Sequence, residues 1–168
     1  MHSDQYVQCA KLLSKPKQAE IICSSLSEKI RKNFNSIDII LSPALGGVVV
    51  GYELGRQLQV ETIFAERFQN DLVLRRDFKI NEKSNVLIVE DVITTGKSAL
   101  ECSKIVKSSK ANLLGYACII DRSNENLLLN SKIVSQVKLN IKTFSEKDIP
   151  SYLKKIKAIK PGSRNLSK

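Results

Sequence analysis

The chain has 168 residues, 42% hydrophobic and 26% charged, with a formal net charge of +10. That length suits one domain with a buried core, and no apolar run approaches the roughly 20 residues that span a bilayer. Four scattered cysteines without a CxxC pair, and a single histidine, His2, argue against a zinc site or a disulfide framework and suggest a reducing cytosol.

Lys15-Pro16 opens a helix that runs to about Lys32, with Ala19, Ile22, Cys23, Leu26 and Ile30 at helical spacing. SIDIILSP (36–43) reads as a buried strand, and GGVVVGYELGRQL (46–58) as a loop that becomes a helix. VETIFAER (60–67) and LVLRRDF (72–78) read as strands around the turn Gln69-Asn70-Asp71. NVLIVEDVI (85–93) is the clearest strand, KSALECSKIVKSSK (97–110) an amphipathic helix, and NLLGYACIID (112–121) another apolar strand. VKLNIKTFS (137–145) is expected to form a last strand, followed by a basic tail. Apolar strands alternating with helices predict an α/β fold whose mostly parallel sheet is covered on both faces. Ligands of such sheets sit at the carboxyl ends of strands, where two glycine-bearing loops fall: SPALGGV after 38–41 and EDVITTGKS after 86–89.

The ending TTGKS invites comparison with an ATPase phosphate loop. That loop requires a glycine five residues before Gly96, where this chain has Asp91, whose charge would repel a phosphate chain. Thr94, Thr95, Gly96, Lys97 and Ser98 instead suit one compact phosphate monoester. They lie between a strand end and a helix start, where successive N–H groups and the helix dipole converge. The hydroxyls add donors, and Gly96 permits positive φ. Glu90 and Asp91 just before them fit a ribose diol, since buried carboxylates demand partners. The blander reading is an acidic helix cap, although capping needs one acid.

VLIVEDVITTGKS (86–98) resembles the signature of type I phosphoribosyltransferases: four apolar residues, two acids, two apolar residues, then Thr-Thr-Gly-x-Ser. These enzymes bind 5-phosphoribosyl-1-pyrophosphate (PRPP). Further segments resemble the orotate phosphoribosyltransferases among them: HSDQYVQ (2–8), SPALGGVVVG (42–51), FAERFQNDLVLRRDF (64–78), IIDRS (119–123) and KPGSR (160–164). The resemblance implies a type I phosphoribosyltransferase fold over 1–168, with a core at about 15–136. A small hood would come from about 1–14 and 137–168.

It also implies transfer of phosphoribosyl from PRPP to orotate, giving orotidine 5′-monophosphate and pyrophosphate in pyrimidine synthesis. Glu90, Asp91 and Thr94 to Ser98 would bind PRPP, while Ala44, Leu45, Gly46, Gly47 and Arg67 would bind pyrophosphate. Tyr6, Thr94 and Arg122 would bind orotate, and Arg67, Arg75, Arg76 and Asp91 would act in catalysis. Mg²⁺ would arrive on PRPP without a dedicated side-chain site, and the enzyme would be a cytoplasmic homodimer whose basic loop reaches into the partner. The family holds a cis peptide that falls here at Ala44–Leu45.

Each segment has a plainer reading. Gly46 and Gly47 could form an ordinary left-handed turn, Arg122 could pair with Asp121 or a neighbouring acid, and the arginines at 67, 75 and 76 could be a solvated hairpin face. Four departures from the family stand out. Met1 begins inside the Ser-x-x-Tyr segment, without the preceding helix; Asp77 replaces a glycine; Lys97 stands where many members have glycine; PSYL (150–153) replaces a Cys-Pro-x-Cys-like stretch. A Lys at position 97 would be strained if that position required positive φ. A purine-type enzyme would share the PRPP loop but have no use for Arg122. A PRPP-sensing regulator could use the basic surface to bind RNA, but scattered lysines without interleaved aromatics weigh against nucleic acid.

Overall fold

The central strands are buried along their length, which only a sheet covered on both faces can satisfy. The computed structural model describes residues 2–159. In chain order its elements are α1 (Cys9–Leu13), α2 (Pro16–Asn33), β1 (Ile39–Pro43), α3 (Gly46–Leu58), β2 (Glu61–Phe68), β3 (Asp71–Leu74), β4 (Asn85–Ile93), α4 (Lys97–Ser108), β5 (Asn112–Asp121), β6 (Ile133–Lys138) and α5 (Ser151–Lys154). Two compact units result. One is Cys9–Leu139; the other combines Met1–Gln8 with Asn140–Lys168, of which 2–8 and 140–159 are described.

In the larger unit a six-stranded sheet has the order β3-β2-β1-β4-β5-β6. All pairings are parallel except the β2–β3 hairpin. Helices α1, α2 and α3 cover one face and α4 the other. Beneath α4, its residues Ala99, Cys102 and Val106 pack with Ile39, Leu41, Ile63, Val86 and Ile88. On the opposite face Leu26, Ile30, Val50 and Leu54 are fully buried. Strand order reverses between β1 and β4, so their carboxyl ends open a crevice at the switch point.

The smaller unit is held by paired backbone bonds between His2 and Phe144, both 2.8 Å, and by Ser3 Oγ donating to the Lys142 carbonyl. The sequence KPGSR (160–164) lies outside the described residues.

Two strand expectations are corrected. The strand expected at 72–78 stops at Leu74, because Arg76 and Asp77 both take φ of 59° and turn the chain; left-handed residues cannot continue a ladder. The last strand is Ile133–Lys138 rather than 137–145. Ile133, Val134 and Val137 lie beside Tyr116, Ala117 and Ile120 of β5, whereas 139–145 contributes only the bridge at Phe144. The four cysteines are free and buried, and burial pushes the Cys9 and Cys23 thiols up to about 12. Among the described residues no helix is long and apolar enough to cross a membrane.

Candidate active site

Four segments meet around the carboxyl ends of β1 and β4. The first is the turn between β1 and α3, which contains a cis peptide at Ala44–Leu45. Gly46 and Gly47 open α3 without positive φ, which removes the left-handed-turn reading. Their role is room. A Cβ at Gly46 would lie 2.8 Å from Asp91 Oδ1, and one at Gly47 3.0 Å from the Val89 carbonyl oxygen. The backbone of the first loop therefore lies against the acids of the second.

Those acids, Glu90 and Asp91, end the buried part of β4 and are themselves half-buried. Asp91 Oδ1 accepts a bond from the Val92 amide at 2.9 Å. Burial nevertheless raises the Asp91 carboxyl above the usual carboxylate range, with the Val92 and Asp91 amides opposing the shift. Neither acid caps α4: its N-cap is Gly96, at φ 73°, and no side chain bonds to the first turn. Thr94, Thr95 and Lys97 are exposed and Ser98 half-buried, and their side chains form no hydrogen bond or ion pair among the described residues. With the N–H groups of the first helical turn, which have no intrahelical acceptor, they form a concave set of donors. Lys97 is helical, so the left-handed position is Gly96 alone. The lysine is not strained.

Arg122 follows β5, and its amide donates to the Ile93 carbonyl at 2.8 Å, fixing it beside the phosphate loop. Its Nε is buried without a hydrogen-bond partner. The expected alternative, a pair with Asp121, does not form: the Asp121 carboxylate takes the Ser123 amide at 2.7 Å and Lys138 Nζ at 3.6 Å. A guanidinium half-buried and without an acid is suited to bidentate recognition of a carboxylate ligand.

The β2–β3 hairpin carries the remaining arginines. Arg67 Nη1 binds Glu101 of α4 at 2.5 Å and the Asn70 carbonyl at 2.7 Å. Arg76 makes a two-pronged pair with Glu66, at 2.7 and 3.1 Å, and lies 5.7 Å over Phe64. That pairing holds the Glu66 carboxyl below its usual range. Arg75 has no acidic partner within salt-bridge distance among the described residues and stacks 5.5 Å over Phe68. The sequence marked the arginines but not Glu66 and Glu101, their partners in this structure. Tyr6 belongs to the smaller unit, where it is exposed.

Comparison with known proteins agrees with this arrangement. The family model described as "Phosphoribosyl transferase domain" matches residues 11–150. An orotate phosphoribosyltransferase of Caldicellulosiruptor saccharolyticus is 44% identical over 165 residues, covering 98% of this chain and 85% of the relative. One from Caldanaerobacter subterraneus subsp. tengcongensis is 42% identical over 165 residues, covering 98% and 86%. Among solved structures, an adenine phosphoribosyltransferase from Thermoanaerobacter pseudethanolicus superposes with TM-score 0.68 at 19% identity, over 80% of this chain and 88% of that one. An orotate phosphoribosyltransferase from Aeropyrum pernix gives 0.67 at 18% identity, over 80% and 78%. At those identities the structural matches speak for the fold. With the family model over most of its length, and relatives above 40% identity along nearly all of it, the chain belongs to the phosphoribosyltransferase family.

Proposed function

We propose that this protein transfers the phosphoribosyl group of PRPP to orotate, releasing pyrophosphate. The observation that carries the base assignment is Arg122: half-buried, unpaired with any acid among the described residues, and bonded through its backbone to Ile93, where β4 runs into the phosphate loop. Orotate differs from a purine in carrying a carboxylate, which a guanidinium reads in bidentate fashion. Thr94 is assigned to the edge of the orotate ring. Thr94 to Ser98 receive the 5-phosphate, and Glu90 and Asp91 accept bonds from the ribose hydroxyls. The backbone of Ala44 to Gly47, with Arg67, Arg75 and Arg76, receives the diphosphate.

The reaction breaks the bond from ribose C1 to the diphosphate oxygen and forms one from C1 to the orotate ring nitrogen, whose proton passes to the released diphosphate. Positive charge gathers on the ribose ring between these events, and the electron pair leaves with the diphosphate. No protein nucleophile is needed. The fixed amides and arginines act by holding C1 in line and by stabilising the leaving charge. The acids beside the diol favour the cationic ring electrostatically. Glu90 and Asp91 are hard oxygen donors of the kind Mg²⁺ takes, but only a pair, so most of its coordination falls to ligand oxygens and water. Bound there it would neutralise diphosphate charge. Leu45 at the N-cap of α3, with Val49 and Tyr52 on the helix, gives exposed apolar residues at 85, 48 and 68% exposure, which supports a homodimer through this face.

Orotate consumption measured with PRPP and Mg²⁺ tests the reading. Arg122→Ala should raise the orotate KM by roughly 30-fold, as expected for loss of about 2 kcal/mol of charge-assisted bonding. The PRPP KM should change less than about threefold. Turnover of adenine in place of orotate would overturn the base assignment, and equal loss of both substrates would remove Arg122 from it.

A further inference from the structure

The connection from β5 to β6 carries more than Arg122. Its Arg122 and Leu128 amides donate to the carbonyls of Ile93 and Thr95, at 2.8 and 2.9 Å. Leu129, 6% exposed, belongs to the core cluster that also contains Ile93, Ala99 and Cys102. Its side chain presses on Gly96. A Cβ built there would lie 2.6 Å from Leu129 Cγ and 2.8 Å from Cδ1. The phosphate loop is thus held from behind at Ile93, Thr95 and Gly96, while the side chains of Thr94, Thr95 and Ser98 stay free for a ligand. The connection is braced by bonds of its own: the Ser123 amide to Asp121, and the Asn126 and Leu127 amides to Asn124.

This contact couples two events. A left-handed glycine unsupported on one side can relax to other conformations at little energy, because glycine populates them readily. Relaxation would turn the amides of 95–98 away from a common focus. A leucine wedged against Gly96 removes that freedom. The same residue belongs to the segment that begins at Arg122, so ordering one loop orders the other.

We propose that Leu129 is a positioning residue: it props Gly96 in the turn that aims the phosphate-loop amides at the 5-phosphate, and it links that turn to the segment bearing Arg122. The proposal rests on the phosphoribosyl reading of the loop. It implies positive linkage, in which ribose 5-phosphate strengthens orotate binding and orotate strengthens ribose 5-phosphate binding by the same factor.

Isothermal titration of the full chain tests it, with ribose 5-phosphate alone, orotate alone, and orotate at saturating ribose 5-phosphate. The proteins are wild type, Leu129→Ala, Leu129→Met, and Leu26→Ala as a core control beneath the opposite sheet face. Leu129→Ala should weaken ribose 5-phosphate by about tenfold or more and bring the orotate enhancement close to one. Leu129→Met, which refills the space, should recover to within about threefold of wild type. Leu26→Ala, matched by its fall in melting temperature, should change neither. Wild-type affinity for ribose 5-phosphate in Leu129→Ala overturns the proposal, as does equal weakening in Leu26→Ala. The two readings fail separately: orotate that never binds the wild type refutes the base assignment, while the ribose 5-phosphate arm still decides the role of Leu129.

Discussion

Asp91 shows most directly what the site does to a single residue. Burial strips its carboxylate of water, while the Val92 amide returns one bond. Its folded pKa therefore lies above the unfolded one. Ionised Asp91 destabilises the fold at pH above the folded value, and the effect disappears below the unfolded value. In the proposed role, ribose hydroxyls would supply further donors to this carboxylate. Asp91→Asn should melt higher than wild type at pH 8, with the difference shrinking as pH falls into the ordinary carboxylate range. Phosphoribosyl transfer should fall roughly 10- to 100-fold, the loss of a charge-assisted bond. Thermal melts across pH with initial rates check both, and a variant less stable at pH 8 would contradict the burial argument. At position 77, aspartate holds φ 59°, a conformation that Asp tolerates better than most residues.

At the scale of elements, the β2–β3 hairpin and α4 are joined by Arg67 and Glu101. Arg67 is exposed, so its pair with Glu101 contributes little to stability, on the order of 0–1 kcal/mol. Its interest lies in competition: for Arg67 to meet a diphosphate, it must exchange Glu101 for the ligand. Glu101→Gln should leave the melting temperature nearly unchanged and lower the KM for PRPP, more so at low salt where exposed charges are less screened. An unchanged or higher KM would mean that Glu101 aims the arginine instead of restraining it. The hairpin was legible as an element because Gln69 and Asn70 separate two apolar runs. Its second strand was overread, since Arg75-Arg76-Asp77-Phe78 has no glycine or proline to announce the turn. The expected last strand failed differently. The alternation around Val137 and Leu139 is real, but Ile133 and Val134 align with Tyr116 and Ala117 of β5, and that pairing set the register.

For the molecule as a whole, the sheet order puts β1 beside β4 and so brings 44–47, 90–98 and the segment after β5 to one crevice. On α3, which covers the β1 side, the residues facing away from the sheet include Val49 and Tyr52. The proposed homodimer would bury this apolar stripe against a second copy. For the proposed homodimer, replacing Val49 with Lys and Tyr52 with Glu should give a monomer in sedimentation analysis where the wild type gives a dimer, with the far-ultraviolet circular dichroism retained. A wild type that sediments as a monomer at micromolar concentration would remove this interface.

By itself the sequence determined the α/β class, the bounds of β4 and β5, and the phosphate-loop motif, because continuous apolar runs and the 86–98 signature are local in the chain. Thr94 to Ser98 and the acids before them fall within nine residues, 90–98, so they could be picked out without a fold. Only the tertiary structure decided that Gly46 gives room to Asp91, that Arg122 has no acid of its own, and that Leu129 stands behind Gly96. The two contacts join residues 45 and 33 positions apart, and the missing partner of Arg122 is likewise a matter of packing. Their partners are chosen by strand order and packing, and no local pattern of residue types encodes that choice.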